Sequence, residues 1–194
     1  MVDFTNVEAC MQNVGSAAAA GVHLVIGTTG LTDVHIRRLG TLCAEQNIGA
    51  LVAPNFALGA VLLTHLARMA SSFFDYADIN EMHHEKKIDA PSGTALAIAR
   101  AIAEGGGEFQ RPLPQGEAIP NTRGGEYNGI TIHSSRMPGR LAHHQVTFGT
   151  LGQTLTLRHD SISRECFMPG VVMAIRDVAY RKGLVVGLQN ILGL

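Results

Sequence analysis

Short apolar runs that stop at glycine- or proline-bearing turns, separated by stretches of helical periodicity, constrain this chain more than any other feature. Residues 2–5 (VDFT) read as the tail of a buried strand, and residues 6–20 as an alanine-rich helix. His23 to Ile26 is a short apolar strand that ends in Gly27-Thr28-Thr29-Gly30. Thr32 or Asp33 caps a helix to about Gln46, and Ile48 to Ala53 is a further strand ending in Pro54-Asn55-Phe56. Strand, helix, strand, helix with short connections predicts parallel βαβ units and an α/β fold. Ligands of such open sheets lie beyond the carboxyl ends of the strands, where both turns fall. No G-x-G-x-x-G occurs, although the first third otherwise reads like half of a dinucleotide-binding sheet. The expectation is a first βαβ unit upstream of Met1 and absent from the chain.

The densest chemistry lies between Glu81 and Ala95 (EMHHEKKIDAPSGTA). A helix from about Leu58 to Phe74 precedes it, and Asp78 to Met82 alternates like a strand leading into His83-His84. Adjacent strand residues point to opposite faces, so both histidines can aim at one point only if the strand ends there. Ser92 is a good N-cap, Pro91 stiffens the entry, and ALAIARAIAE from Ala95 favours a helix. The amides of Gly93 and Thr94 then fall among the unpaired donors of a first turn. With the positive end of the helix dipole they favour a carboxylate or phosphate, and Lys87 adds a full charge.

Residues 105–129 are rich in glycine and proline and read as one long loop. Strands are expected at Ile130 to Arg136, His144 to Phe148 and Thr154 to Arg158, with turns at Pro138-Gly139 and Leu151-Gly152 making antiparallel neighbours. A final helix from about Pro169 to Arg181 places Val171, Ile175 and Val178 on one face, and Val185-Val186 can form a last strand.

Fifteen basic against sixteen acidic residues, with no basic block, point away from nucleic acid and acidic membranes. Cys10, Cys43 and Cys166 form no CxxC, which suggests neither a disulfide framework nor a zinc knuckle and fits a reducing cytoplasm. No signal peptide or membrane segment is read, because the longest weakly polar run, Val14 to Gly27, is too short to span. His143-His144 lacks a spaced carboxylate or cysteine, so no metal is assigned. Arg158-His159-Asp160 cannot converge from consecutive strand positions and reads as polar groups at a sheet edge or interface. Arg136 and Arg176 are candidates to approach substrate carboxylates, but the sequence does not place them.

Together these segments resemble the dihydrodipicolinate reductase family. The resemblance runs through Asp78-Ile79-Asn80-Glu81-Met82-His83, Lys87, Asp89 and Pro91-Ser92-Gly93-Thr94-Ala95, where Asp78 stands in place of the more usual Glu. It continues through VDFT, VIGTTG, APNFALGAV, AHHQVTFGTLGQTLTLRHDS and FMPGVVMAIR. The resemblance implies a partial Rossmann-like parallel sheet plus an α+β substrate domain with a mixed sheet. The nucleotide domain would comprise residues 1–57 and 167–194, and the substrate-binding and oligomerisation domain residues 58–166.

The implied activity is NAD(P)H-dependent reduction of 4-hydroxy-tetrahydrodipicolinate to tetrahydrodipicolinate in the diaminopimelate route to lysine. The implied cofactor is NADPH or NADH, the substrate a cyclic dicarboxylate, the assembly a homotetramer and the location cytoplasmic. By matching position, His83 is the proton donor or acceptor and Lys87 its cationic partner. His84, Gly93 and Thr94 match substrate ligands, and Gly27, Thr28, Thr29, Ala53, Pro54, Asn55 and Phe56 line the cofactor. The family's glycine-rich phosphate loop has no counterpart here. The alternative reading is therefore a catalytically silent, truncated binding or oligomerisation module of the same family.

Overall fold

Elements follow in the order β1 (Val2–Asp3), α1 (Val7–Ala19), β2 (Leu24–Ile26), α2 (Asp33–Glu45), β3 (Gly49–Val52) and α3 (Leu58–Ala70) in the computed structural model. They continue with β4 (Tyr76–His83), α4 (Gly93–Glu104), β5 (Gly125–Tyr127), β6 (Ile130–Arg136), β7 (Ala142–Thr150) and β8 (Gln153–Ser161). The chain closes with α5 (Met168–Val178), β9 (Gly183–Val186) and α6 (Gln189–Leu192). The structure describes residues 1–112 and 116–194. These form two compact units, Met1–Val61 with Glu165–Leu194, and Leu62–Arg164.

The first unit is a parallel sheet in the order β1-β2-β3-β9. Every residue of β2 and β3 is buried, as expected of strands covered on both faces. Helix α1 contributes Cys10, Val14 and Ala18 at four-residue spacing, and α2 contributes Leu39 and Cys43, to the core with Leu24, Ile26, Ile48 and Ala50. Thr32 is the N-cap of α2, and its N–H donates to His35 Nδ1 at 3.0 Å. On α5 the buried residues are Gly170, Val171, Ala174 and Val178, and Ile175 is exposed, against the expected apolar face. The reason is close approach: a Cβ on Gly170 would overlap the Phe56 carbonyl, so small residues, not Ile175, form the contact.

The second unit is a mixed sheet in the order β5-β6-β4-β7-β8. The Leu151-Gly152 turn joins β7 and β8 as antiparallel neighbours, as expected. The Pro138-Gly139 turn does not do the same for β6 and β7. Strand β4 lies between them, parallel to β6 and antiparallel to β7. A turn reverses the chain without making its flanking strands adjacent, and β4 takes the centre because its inward row needs cover from both sides. Nor is 105–129 wholly irregular, since Gly125–Tyr127 pairs with β6 as β5; residues 113–115 of that stretch lie outside the described ones. Helix α4 packs Ala95, Ile98, Ala99 and Ile102 against Ala77, Ile79, Ile130, Val146 and Phe148.

Candidate active site

Strand β4 alternates strictly, with Ala77, Ile79, Glu81 and His83 buried and Asp78, Asn80 and Met82 half-buried between them. The inward row thus starts apolar and ends in an acid and an imidazole. Pairing sets Ser134 of β6 and His144 of β7 beside Glu81, and Arg136 and Ala142 beside His83. A buried carboxylate requires partners, and this one has them on three sides. Its Oε2 lies 2.5 Å from His83 Nδ1 and 3.0 Å from an Arg136 donor, and its Oε1 accepts from Arg136 at 2.7 Å and from the Ser92 N–H at 3.2 Å. Burial would raise the Glu81 carboxyl, but hydrogen bonds from His83, Arg136 and Ser134 outweigh it and bring it down to about 2. An ionised carboxylate only accepts, so His83 donates through Nδ1–H.

Arg136 is fully engaged. Besides Glu81, its guanidinium donates to the backbone carbonyls of Ser135 and Asp89 at 2.7 Å each and of Lys87 at 3.3 Å. These contacts tie the Lys87–Asp89 loop to β6 and leave Arg136 a clamp within the protein. Arg176, the other arginine considered, is exposed on α5 of the first unit.

Ser92 caps α4 as expected, accepting the Ala95 N–H at 3.2 Å. Its hydroxyl also hydrogen-bonds with His144 Nε2, again at 3.2 Å. His144 is lowered to about 4, first by burial and then by the charge of His83, so it stays neutral beside that ring. The two imidazoles meet edge to face at 5.3 Å. His144 Nδ1 is a buried atom with no hydrogen-bond partner among the described residues.

The other expected residues gather around this network. Strand β4 ends at His83, so half-buried His84 follows in a turn where its carbonyl accepts the Lys87 N–H at 3.1 Å. Gly93 and Thr94 open α4, where their N–H groups have no acceptor within the helix. Lys87 Nζ pairs with both Asp89 oxygens at 2.7 and 2.9 Å, and this hydrogen bond holds the Asp89 carboxyl below its usual range. One carboxylate therefore joins the His83 ring to the start of α4.

In the first unit, Gly27-Thr28-Thr29 and Ala53-Pro54-Asn55-Phe56 leave β2 and β3 side by side, with the Ala53 N–H donating to Ile26 O at 3.0 Å. Thr29 and Pro54 are exposed and Gly27 and Asn55 half-buried, a shelf at the carboxyl edge where open parallel sheets take their ligands. Thr28 and Phe56 are turned inward. The Thr28 hydroxyl donates to Asp3 at 2.7 Å, and the Phe56 ring packs on Phe4 with centroids 5.4 Å apart. Asp3 also accepts from the Thr5 hydroxyl, the Thr5 N–H and Asn13, and these bonds with Thr28 outweigh its burial and hold it below the usual carboxylate range.

Residues 1–56 match the sequence profile of the dihydrodipicolinate reductase N-terminus, and residues 59–192 that of its C-terminus. The chain belongs to the dihydrodipicolinate reductase family. The 4-hydroxy-tetrahydrodipicolinate reductase of Dehalococcoides mccartyi strain BAV1 is 50% identical over 194 residues, covering 100% of this chain and 73% of that protein. That of Moorella thermoacetica is 47% identical, with 99% and 72% covered. A solved structure of dipicolinate-bound dihydrodipicolinate reductase from Paenisporosarcina sp. TG-14 aligns with a TM-score of 0.87 at 43% identity, over 97% of this chain and 72% of that one. As a dihydrodipicolinate reductase the chain is an NAD(P)H-dependent oxidoreductase of lysine biosynthesis, and its parallel and mixed sheets are those of the expected α/β fold.

Sequence reasoning assigned no part to Glu81, Asp3 or His144. For Glu81 a signal existed: an acid two residues after Ile79 and two before His83 sits in the inward row. For Asp3 and His144 nothing local distinguishes them from ordinary strand-end residues.

Proposed function

We propose that His83 and Lys87 carry the proton chemistry in the reduction of 4-hydroxy-tetrahydrodipicolinate to tetrahydrodipicolinate, with His84, Gly93 and Thr94 binding the cyclic dicarboxylate. When bound, NAD(P)H supplies the hydride. The residues of this chain hold the ring and manage charge and protons. The first-turn N–H groups of Gly93 and Thr94 receive one carboxylate, assisted by the helix dipole. His83, with Nδ1 occupied by Glu81, presents Nε2 as the nitrogen that exchanges a proton. Lys87 balances the negative charge that develops on the substrate. Gly27, Thr28, Thr29, Ala53, Pro54, Asn55 and Phe56 form the cofactor shelf, Thr28 and Phe56 by supporting it from within.

The observation that carries the reading is the Glu81 carboxylate, which contacts both the His83 ring and the first residue of the Ser92 cap. The assignment of residues 1–57 and 167–194 to the nucleotide and 58–166 to the substrate and oligomerisation belongs to the same proposal, as does a cytoplasmic location. No helix among the described residues is long and apolar enough to cross a membrane. A homotetramer is supported by β8, whose residues 153–156 are exposed on both faces of the strand and offer a surface for another copy.

The deciding experiment follows oxidation of NADPH and NADH with the dicarboxylate substrate, for the wild-type chain and for His83→Ala and Lys87→Ala. Turnover by the wild type and its collapse in both folded variants is the expected result. Equal rates in all three would remove the assigned roles, and absence of cofactor binding to the wild type would favour the silent module.

A further inference from the structure

The strongest unassigned feature is a charge with no exposure. The Glu81 side chain is 0% exposed, yet it lies in the same inward row as Ile79, where an apolar residue would fill the space without a desolvation penalty. A carboxylate in that position demands a cation and further donors, and the fold provides Arg136 from β6 and the Ser92 N–H from the start of α4. Replacing such a pair by apolar groups is often neutral or stabilising, so fold stability alone gives no reason for it.

Its geometry supplies one. Glu81 Oε2 takes His83 Nδ1, and because Arg136 and Ser92 grip the same carboxylate, the acceptor cannot swing away. We propose that Glu81, locked by Arg136, is the positioning residue that fixes the orientation and tautomer of His83, so that proton exchange with substrate occurs at Nε2 alone. The inference rests on the proposed role of His83 and adds to it the residue through which that role is set. With its side chain fully buried, Glu81 acts through the imidazole. Among the described residues, the charged and titratable groups shown against His83 are Glu81 on its own strand, Arg136 opposite it on β6 and His144 on β7, and Arg136 also holds the Lys87–Asp89 loop. Among the described residues, Glu81 is the hydrogen-bond partner of Nδ1.

Two measurements test it. In wild-type protein labelled with ¹⁵N in the imidazoles, with His83 assigned from the spectrum of His83→Gln, neutral His83 is expected to carry its hydrogen on Nδ1. A hydrogen on Nε2 overturns the proposal without need of any Glu81 variant. In Glu81→Gln, kcat is expected to fall roughly 10²-fold with KM and dipicolinate affinity within about twofold of wild type. Wild-type kcat in a folded Glu81→Gln protein also overturns it. If His83→Ala is slow while Glu81→Gln is fast, the positioning role alone fails; if His83→Ala is itself fast, the failure is that of the proposed function.

Discussion

Arg136 stands opposite His83 in the β4–β6 register, but its guanidinium reaches back along the sheet to Glu81, two residues earlier on β4. This diagonal contact brings one strand's cation to the acid that holds the neighbouring strand's imidazole. One carboxylate therefore holds both the packing around it and the His83 ring, and the two effects can be separated by pH and by substitution.

The Glu81 carboxyl is depressed from 4.5 to about 2 in the folded chain. Its ionised form is thus stabilised by folding: the contribution is complete above the unfolded value and is lost as pH falls toward about 2. Urea midpoints measured across this acid range should drop more steeply for the wild type than for Glu81→Gln, by on the order of 3 kcal/mol over the whole interval. Parallel curves would show that Glu81 is not the titrating group.

Removing the cation leaves the buried acid unpaired. Arg136→Met should destabilise the protein by about 3–5 kcal/mol at neutral pH in urea unfolding. The double variant Glu81→Leu with Arg136→Met should recover much of that loss while remaining inactive, since the His83 acceptor is gone.

In the first unit, Asp3 anchors the GTTG turn. With the Thr28 hydroxyl at 2.7 Å and three further donors on one carboxylate, Asp3→Asn replaces an acceptor-only group by one that also donates. The GTTG turn should loosen, raising the NAD(P)H dissociation constant by roughly tenfold, the equivalent of about 1.4 kcal/mol. Fluorescence titration reads this directly, and dipicolinate affinity should not change.

Ser92 has two tasks, capping α4 and satisfying His144 Nε2. Ser92→Ala should therefore cost more than an exposed cap, about 2 kcal/mol or somewhat above, with an accompanying loss of dipicolinate affinity as the first turn frays. Thermal unfolding and calorimetric titration measure the two effects. A cost below 0.5 kcal/mol, on the order of a Gly-like cap replacement, would show that the His144 contact is dispensable.

Gly170 lies against the Phe56 carbonyl, where a Cβ would collide with backbone rather than with a movable side chain. Gly170→Ala should push α5 away from the turn after β3 and destabilise the first unit by about 1–3 kcal/mol. The accompanying readout is weaker NAD(P)H binding, because Phe56 supports the exposed Pro54 and half-buried Asn55.

Much of this architecture was legible residue by residue. The runs ending at Gly27 and Ala53, the Ser92 cap, the alanine-rich helix after it and the alternation through Asp78–Met82 are decided by propensity and periodicity within a few positions, and the structure keeps them. The order of segments from VDFT to FMPGVVMAIR was enough to point to the family. What local pattern could not supply is which distant strands become neighbours. Arg136 is 55 residues from Glu81, and His144 is 52 from Ser92, so no window of sequence contains either contact. The Pro138-Gly139 turn even suggested the wrong partner, because it reports a reversal of the chain and not the strand that slips between its arms. That choice is made by burial summed over a whole unit: β4 is central because its inward row must be covered on both sides. Only that placement brings a guanidinium to a carboxylate and the carboxylate to an imidazole.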